Sequence, residues 1–179
     1  LHNGKLEAQG SVQEFVVKPI PAIEGRDFEE TFAFHKELND LSRDMSSAGR
    51  SLGEASNRLR HIEAALVQTS TLAPELFEQL AVLEQKQSEL STQLYGDRIR
   101  RSKDISVEPV IAGRLNQVLY GLSETSLPPT QTHRTNVTLA RQGFDQFKVS
   151  LQDFWSELEK YETQVQQAGA PYTPGRKLR

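Results

Sequence analysis

Few side chains in this 179-residue chain are of the kinds that do chemistry, and their spacing limits what they can form. The four histidines, His2, His35, His61 and His133, stand far apart with no His-x-x-x-His pair, and Cys is absent. Neither a zinc site nor a thiol nucleophile is therefore expected. No Glu has a His three residues later, which removes the Glu-x-x-His pairs of a helical di-metal carboxylate centre. Gly-x-Gly-x-x-Gly and the Walker loop are missing too, and the sequence assigns no cofactor, no metal and no catalytic residue. Paired acids such as Asp40 and Asp44, or Glu157 and Glu159, stand where a solvated helical face would put them, without the pocket that shifts one carboxyl against another.

Two basic clusters remain. Arg98, Arg100, Arg101 and Lys103 form one, and Arg176, Lys177 and Arg179 the other; Arg98, Arg100, Arg101, Lys103 and Arg176 are the expected anion or domain-docking contacts. Asp97 and Asp104 flank the first cluster, no aromatic residues interleave to stack bases, and the formal net charge is -3, which argues against nucleic acid as a partner. Trp155 and Tyr161 are expected in core or edge packing. The sequon Asn136-Val137-Thr138 falls inside an expected helix, which a glycan acceptor rarely does.

The elements that must position these residues are mostly helices. Asp27-Phe28-Glu29-Glu30 has the form of a capping box and opens the first. Phe34, Leu38, Leu41, Met45, Ala48, Leu52, Ala55, Leu59, Ile62 and Leu66 then alternate at spacings of four and three, the seam of a long helix packed as in a coiled coil, running to about Gln68. Gly49 and Gly53 each weaken that helix by about 1 kcal/mol relative to Ala, which predicts either a neighbouring backbone close by or a bend. A second helix runs from Pro74 to Gly96 on Leu76, Leu80, Leu83, Gln87, Leu90 and Leu94, with Gln87 as its polar break. A charged link over 97–105 leads to a third, opening around Ser106-Val107-Glu108-Pro109 and presenting Ile111, Leu115, Val118 and Leu122. The last runs from about Thr132 to Ala168 on Val137, Ala140, Phe144, Phe147, Leu151, Phe154, Leu158, Tyr161 and Val165, and Gly169 followed by Pro171 stops it.

The second and third helices together match either long helix in length. The fold expected is therefore mainly α: an elongated up-down-up three-helix bundle with a broken middle leg, its helices crossing near +20°. A long antiparallel hairpin that dimerises is the alternative, because heptads do not say which chain supplies the third helix. Hydrophobic residues at 36%, aromatics at 7% and a mean hydropathy of -0.55 suit such a thin core, and no apolar run reaches the roughly 18 residues of a membrane span.

Residues 1–21 differ in kind. Asn3-Gly4 is a hairpin-turn dipeptide, 11–18 alternates at period two, and Pro19-Ile20-Pro21 is a stiff connector. This segment reads as the end of an upstream β domain plus a linker, with 22–179 as the helical domain, in a piece cut from something longer.

Several stretches carry a resemblance: VVKPIP at 16–21, AGRSLGEASNRLRHIEAAL at 48–66, GDR at 96–98, IAGRL at 111–115, PTQTHR at 129–134 and AGAPYTPGR at 168–176. Together they resemble the C-terminal region of large bacterial sortilin-like proteins with Asp-box (BNR) repeats, generally labelled glycosyl hydrolases. The resemblance covers nearly the whole chain. It implies a β-propeller upstream on the same polypeptide, an exported and therefore extracytoplasmic protein, and hydrolase chemistry, if any, on the propeller, since Ser-x-Asp-x-Gly-x-x-Trp occurs nowhere here. It brings no catalytic residue to this chain. Two functions follow as expectations: a noncatalytic helical accessory domain that docks on the propeller or a protein partner, or a bundle that contributes the 98–103 link and the tail 172–176 to a glycan site formed with the propeller.

Overall fold

The computed structural model describes residues 10–11, 13–18, 27–69, 74–103, 108–123, 125 and 127–175. Among these described residues five helices follow one another: α1 (Phe28–Val67), α2 (Pro74–Tyr95), α3 (Arg98–Ser102), α4 (Ile111–Ser123) and α5 (Gln131–Gln167). The two long ones, of 40 and 37 residues, extend roughly 60 and 55 Å. No helix among the described residues is long and apolar enough to cross a membrane.

Every apolar residue of the four expected seams is buried, from Phe34 to Leu66 on α1, Leu76 to Leu94 on α2, Ile111 to Leu122 on α4 and Val137 to Val165 on α5. They form one continuous core. Gln87, the polar break, is half-buried, and its amide donates to the Leu52 carbonyl at 3.4 Å, so the seam tolerates it at a backbone acceptor.

Side-chain contacts give the direction of each leg. Tyr161 donates to the Leu76 carbonyl at 2.7 Å and Lys86 meets Glu157 at 2.6 Å, so α2 runs antiparallel to α5. Arg114 reaches Asn136 at 3.2 Å, and Ile111 packs beside Gly143, so α4 runs the same way as α2. The up-down-up bundle with a broken middle leg is what forms, and its third leg comes from the same chain.

Local physics sets the ends. Asp27 caps α1 by accepting from the Glu30 amide at 2.8 Å, while the Glu30 carboxylate turns to Arg134 on α5, at 2.9 Å. Gly96 stops α2 at φ +85°. After α5, the Gly169 amide bonds the Gln166 carbonyl and the Ala170 amide the Val165 carbonyl, with Gly169 at φ +82°: a Schellman ending that buries Ala170 against the core.

Four expectations need correction. The third long element begins at Ile111, not around Ser106, because Pro109 disfavours helical backbone in the residue before it; 104–107 lie outside the described residues. Within the supposed link, Arg98–Ser102 is helical, since the Asp97 carboxylate accepts from the Ile99 and Arg100 amides at 2.8 and 3.2 Å and caps the turn. Gly49 faces the Tyr95 ring tip rather than a backbone, and Gly53 has open space beside it. No strand forms among the described residues of 11–18: Ser11 and residues 13–18 are irregular and exposed, because a lone strand has no ladder partner there. The turn at Asn3-Gly4 and the domain boundary at 21 lie outside the described residues.

Candidate functional site

Heptad geometry puts the residue just before each first seam position on the flank of a helix, where it meets the flank of a parallel neighbour. On α1 these flanking residues are Glu30, Glu37, Asp44, Ser51 and Arg58, seven apart; on α5 the matching series is Arg134, Arg141, Lys148, Trp155 and Glu162. Four of the five pairs are joined in order: Glu30 to Arg134 at 2.9 Å, Glu37 to Arg141 at 3.1 Å, Ser51 to the Trp155 indole at 2.8 Å, and Arg58 to Glu162. Only a parallel, in-register pair of helices connects both series rung by rung. At the fifth, Lys148 turns to Asp145 on its own helix at 2.7 Å and lies over the Phe144 ring; that lysine's hydrogen bond holds the Asp145 carboxyl below its usual value.

The register explains the core side chains. It sets Ala48 level with Phe147, Ala55 with Phe154 and Leu41 with Ala140, so each small residue faces a larger one across the seam.

The last rungs form the most enclosed polar cluster. Arg58 Nε donates to Glu162 Oε1 at 2.8 Å and its second nitrogen to Oε2, with side-chain exposures of 12% and 7%. The guanidinium lies 5.0 Å from the Trp155 ring centroid, and the Trp155 N–H is engaged by Ser51. Gly175, at φ +89°, sits on the aliphatic stem of Arg58, and Thr173 beside it is buried. The tail 172–175 therefore folds back over the bundle. Chemically this cluster is a clamp: its acid and base neutralise each other and present no free nucleophile.

Elsewhere the polar groups are similarly engaged. His133 accepts the Thr130 amide on Nδ1 while Thr130 Oγ1 accepts the His133 amide, each at 3.3 Å, closing a capping box that starts α5. The periodicity reading missed this role, although the signal, a Thr three residues before a side chain able to accept, stood in the sequence. Asn136 of the sequon is half-buried and holds Arg114. Tyr161 is buried; burial, with the Glu84 charge adding to it, pushes its phenol well above the ordinary value. No group of three or more His, Cys, Asp or Glu able to hold a metal occurs among the described residues.

The basic residues are only partly brought together. Arg98, Arg100 and Arg101 lie on α3 and Lys103 follows it; Arg100 is exposed and 3.7 Å from Asp97, and Lys103 is exposed. The side chains of Arg98 and Arg101 lie outside the described ones, as does Arg176. A cavity of about 300 Å³ opens beside the break, walled by Tyr95, Asp97, Glu108, Asn116 and Gln117, with neither Arg100 nor Lys103 in its wall. A second feature is a cleft of about 470 Å³ between α2 and α5.

No family model matches the chain, and no curated protein or solved structure matches it either.

Proposed function

We propose that this chain is a noncatalytic helical accessory domain at the C-terminus of an exported, extracytoplasmic Asp-box propeller protein of the glycosyl-hydrolase-like type, where it braces the propeller or a protein partner. The observation that carries this reading is the ladder between α1 and α5. Its acids and bases hold two long helices in one register, which makes a stiff rod and leaves those groups no substrate to act on. The exposed run Phe15, Val16 and Val17, at 80 to 85% exposure, supports a β partner at the start of the rod, because an apolar, strand-forming segment is stable only when covered.

The test compares the full-length polypeptide with a version ending at Pro21. Glycan binding and hydrolysis are measured across a panel, and the separately made helical domain is added back to the shortened protein. The expected result is a folded, equally active shortened protein that still captures the helical domain. Loss of activity while the propeller stays folded would make the bundle part of a glycan site and overturn the noncatalytic reading.

A further inference from the structure

The surface between α2 and α5 has no neighbour from the bundle. The cleft of about 470 Å³ near Tyr161 shares Glu157 with a second hollow of about 290 Å³ near Phe154, so the two form one groove. Measured along α5 from Ser150 to Gln164, it is roughly 20 Å long. Its floor is the covered edge of the core, where Leu83, Leu90 and Phe154 are buried, and Val82 is the apolar side chain that stands in it exposed, at 55%.

Two properties of the groove select an occupant. Both walls are regular helices whose backbone groups bond within themselves, so an extended peptide would find no ladder to join; a helix brings its own hydrogen bonds and needs only an apolar seat. The rim is acidic: Glu75, Glu78, Glu89, Asp153 and Glu157 stand against Lys86 and Lys160, and Lys86 is already bonded to Glu157. We infer that this groove seats a basic amphipathic helix of another protein, which lays one apolar stripe on Val82 and the floor, points its lysines or arginines at the rim carboxylates, and completes a four-helix bundle. The inference does not depend on how the chain meets its β domain.

The experiment uses the whole chain and two synthetic peptides of about 18 residues, long enough to fill the groove. One is built from Leu and Lys with a single leucine stripe at helical spacing; in the other Glu replaces every Lys. Binding is read by fluorescence anisotropy at about 0.15 M salt, where surface attraction beyond one Debye length is screened. The Leu/Lys peptide is expected to bind and the Leu/Glu peptide to fail. Affinity should drop about tenfold or more in Val82→Lys and in Glu75→Gln/Glu78→Gln/Glu89→Gln, and stay unchanged in Glu54→Gln/Glu63→Gln on the solvent face of α1. Circular dichroism confirms the fold of each variant, and the exposure of Val82 makes its loss harmless to the core. Absence of binding by the Leu/Lys peptide, equal binding by the groove variants, or an equal loss in the α1 control overturns the inference. So does self-association of the free chain that Val82→Lys abolishes, which would give the groove to a second copy.

Discussion

Arg58 and Glu162 form a two-pronged pair, 12% and 7% exposed, across the parallel seam of α1 and α5. Sliding α5 by one heptad in either direction would set Glu162 level with Ala65 or with Ser51 in place of Arg58. The upper rungs are partly exposed and tolerate such slips, since acids there still meet bases or water. The enclosed carboxylate tolerates neither, because a buried charge without its partner costs several kcal/mol. This pair therefore reinforces the register that the small-against-large pairing of the seam also favours.

Arg58→Met strands the Glu162 carboxylate and should lower stability by about 3 kcal/mol, whereas Arg58→Met/Glu162→Leu should recover most of that loss. Urea denaturation of the three proteins measures the difference. Equal losses in the single and double variants would show that the charge is not what matters.

The two glycines of α1 should respond differently to alanine. Gly53 has nothing near its missing Cβ, so Gly53→Ala should raise stability by up to about 1 kcal/mol through helix propensity. A Cβ on Gly49 would lie 1.7 Å from the Tyr95 hydroxyl and force that ring to move, so Gly49→Ala should gain less or lose. Adding Tyr95→Ala to Gly49→Ala, against Tyr95→Ala alone, should restore the helical gain in thermal unfolding.

Tyr161 predicts an alkaline response. Its phenol is raised above the value of 10.0 by burial first and by Glu84 second, and it donates to the Leu76 carbonyl. A group whose pKa is higher folded than unfolded contributes its stability in full below the unfolded value and loses it as pH climbs toward the folded one. The stability difference between the native chain and Tyr161→Phe should therefore be constant below about pH 9 and shrink above pH 10. A difference independent of pH across that window would contradict the assignment.

The ending of α5 rests on Gly169 at φ +82°. Gly169→Ala meets no clash with neighbouring atoms but puts a side chain in left-handed backbone, at a cost of about 1 kcal/mol. Because Ala170, Thr173 and Gly175 follow from that turn, limited proteolysis should cut the tail faster in the variant. An unchanged cleavage rate would mean that the Arg58 contact alone holds it.

By itself the sequence determined the four longer helices, whose causes are local, while the short turn capped by Asp97 looks in sequence like a link. The four-and-three spacing from Phe34 to Leu66 and from Val137 to Val165 marks the buried faces, since a helix returns each such residue to the same side. Asp27, Gly96 and Gly169 mark ends for equally local reasons, in orphan amides and left-handed backbone. The sequence named Arg98, Arg100, Arg101, Lys103 and Arg176 as candidate contacts, and not the cluster of Ser51, Arg58, Trp155, Glu162 and Gly175. The pairs Arg58 with Glu162 and Ser51 with Trp155 each join residues 104 positions apart, and nothing in the identity of Arg58 says which of many glutamates it meets. Nor does the spacing around Gly49 reveal whether a backbone or the tip of Tyr95 will use the space. Tertiary structure decided the parallel register of α1 and α5, the folding back of the tail and the acidic groove beside α2. Each arises where faces from distant segments meet, and the free energy that selects the meeting, small side chain against large and buried acid against buried base, exists only once both are in place.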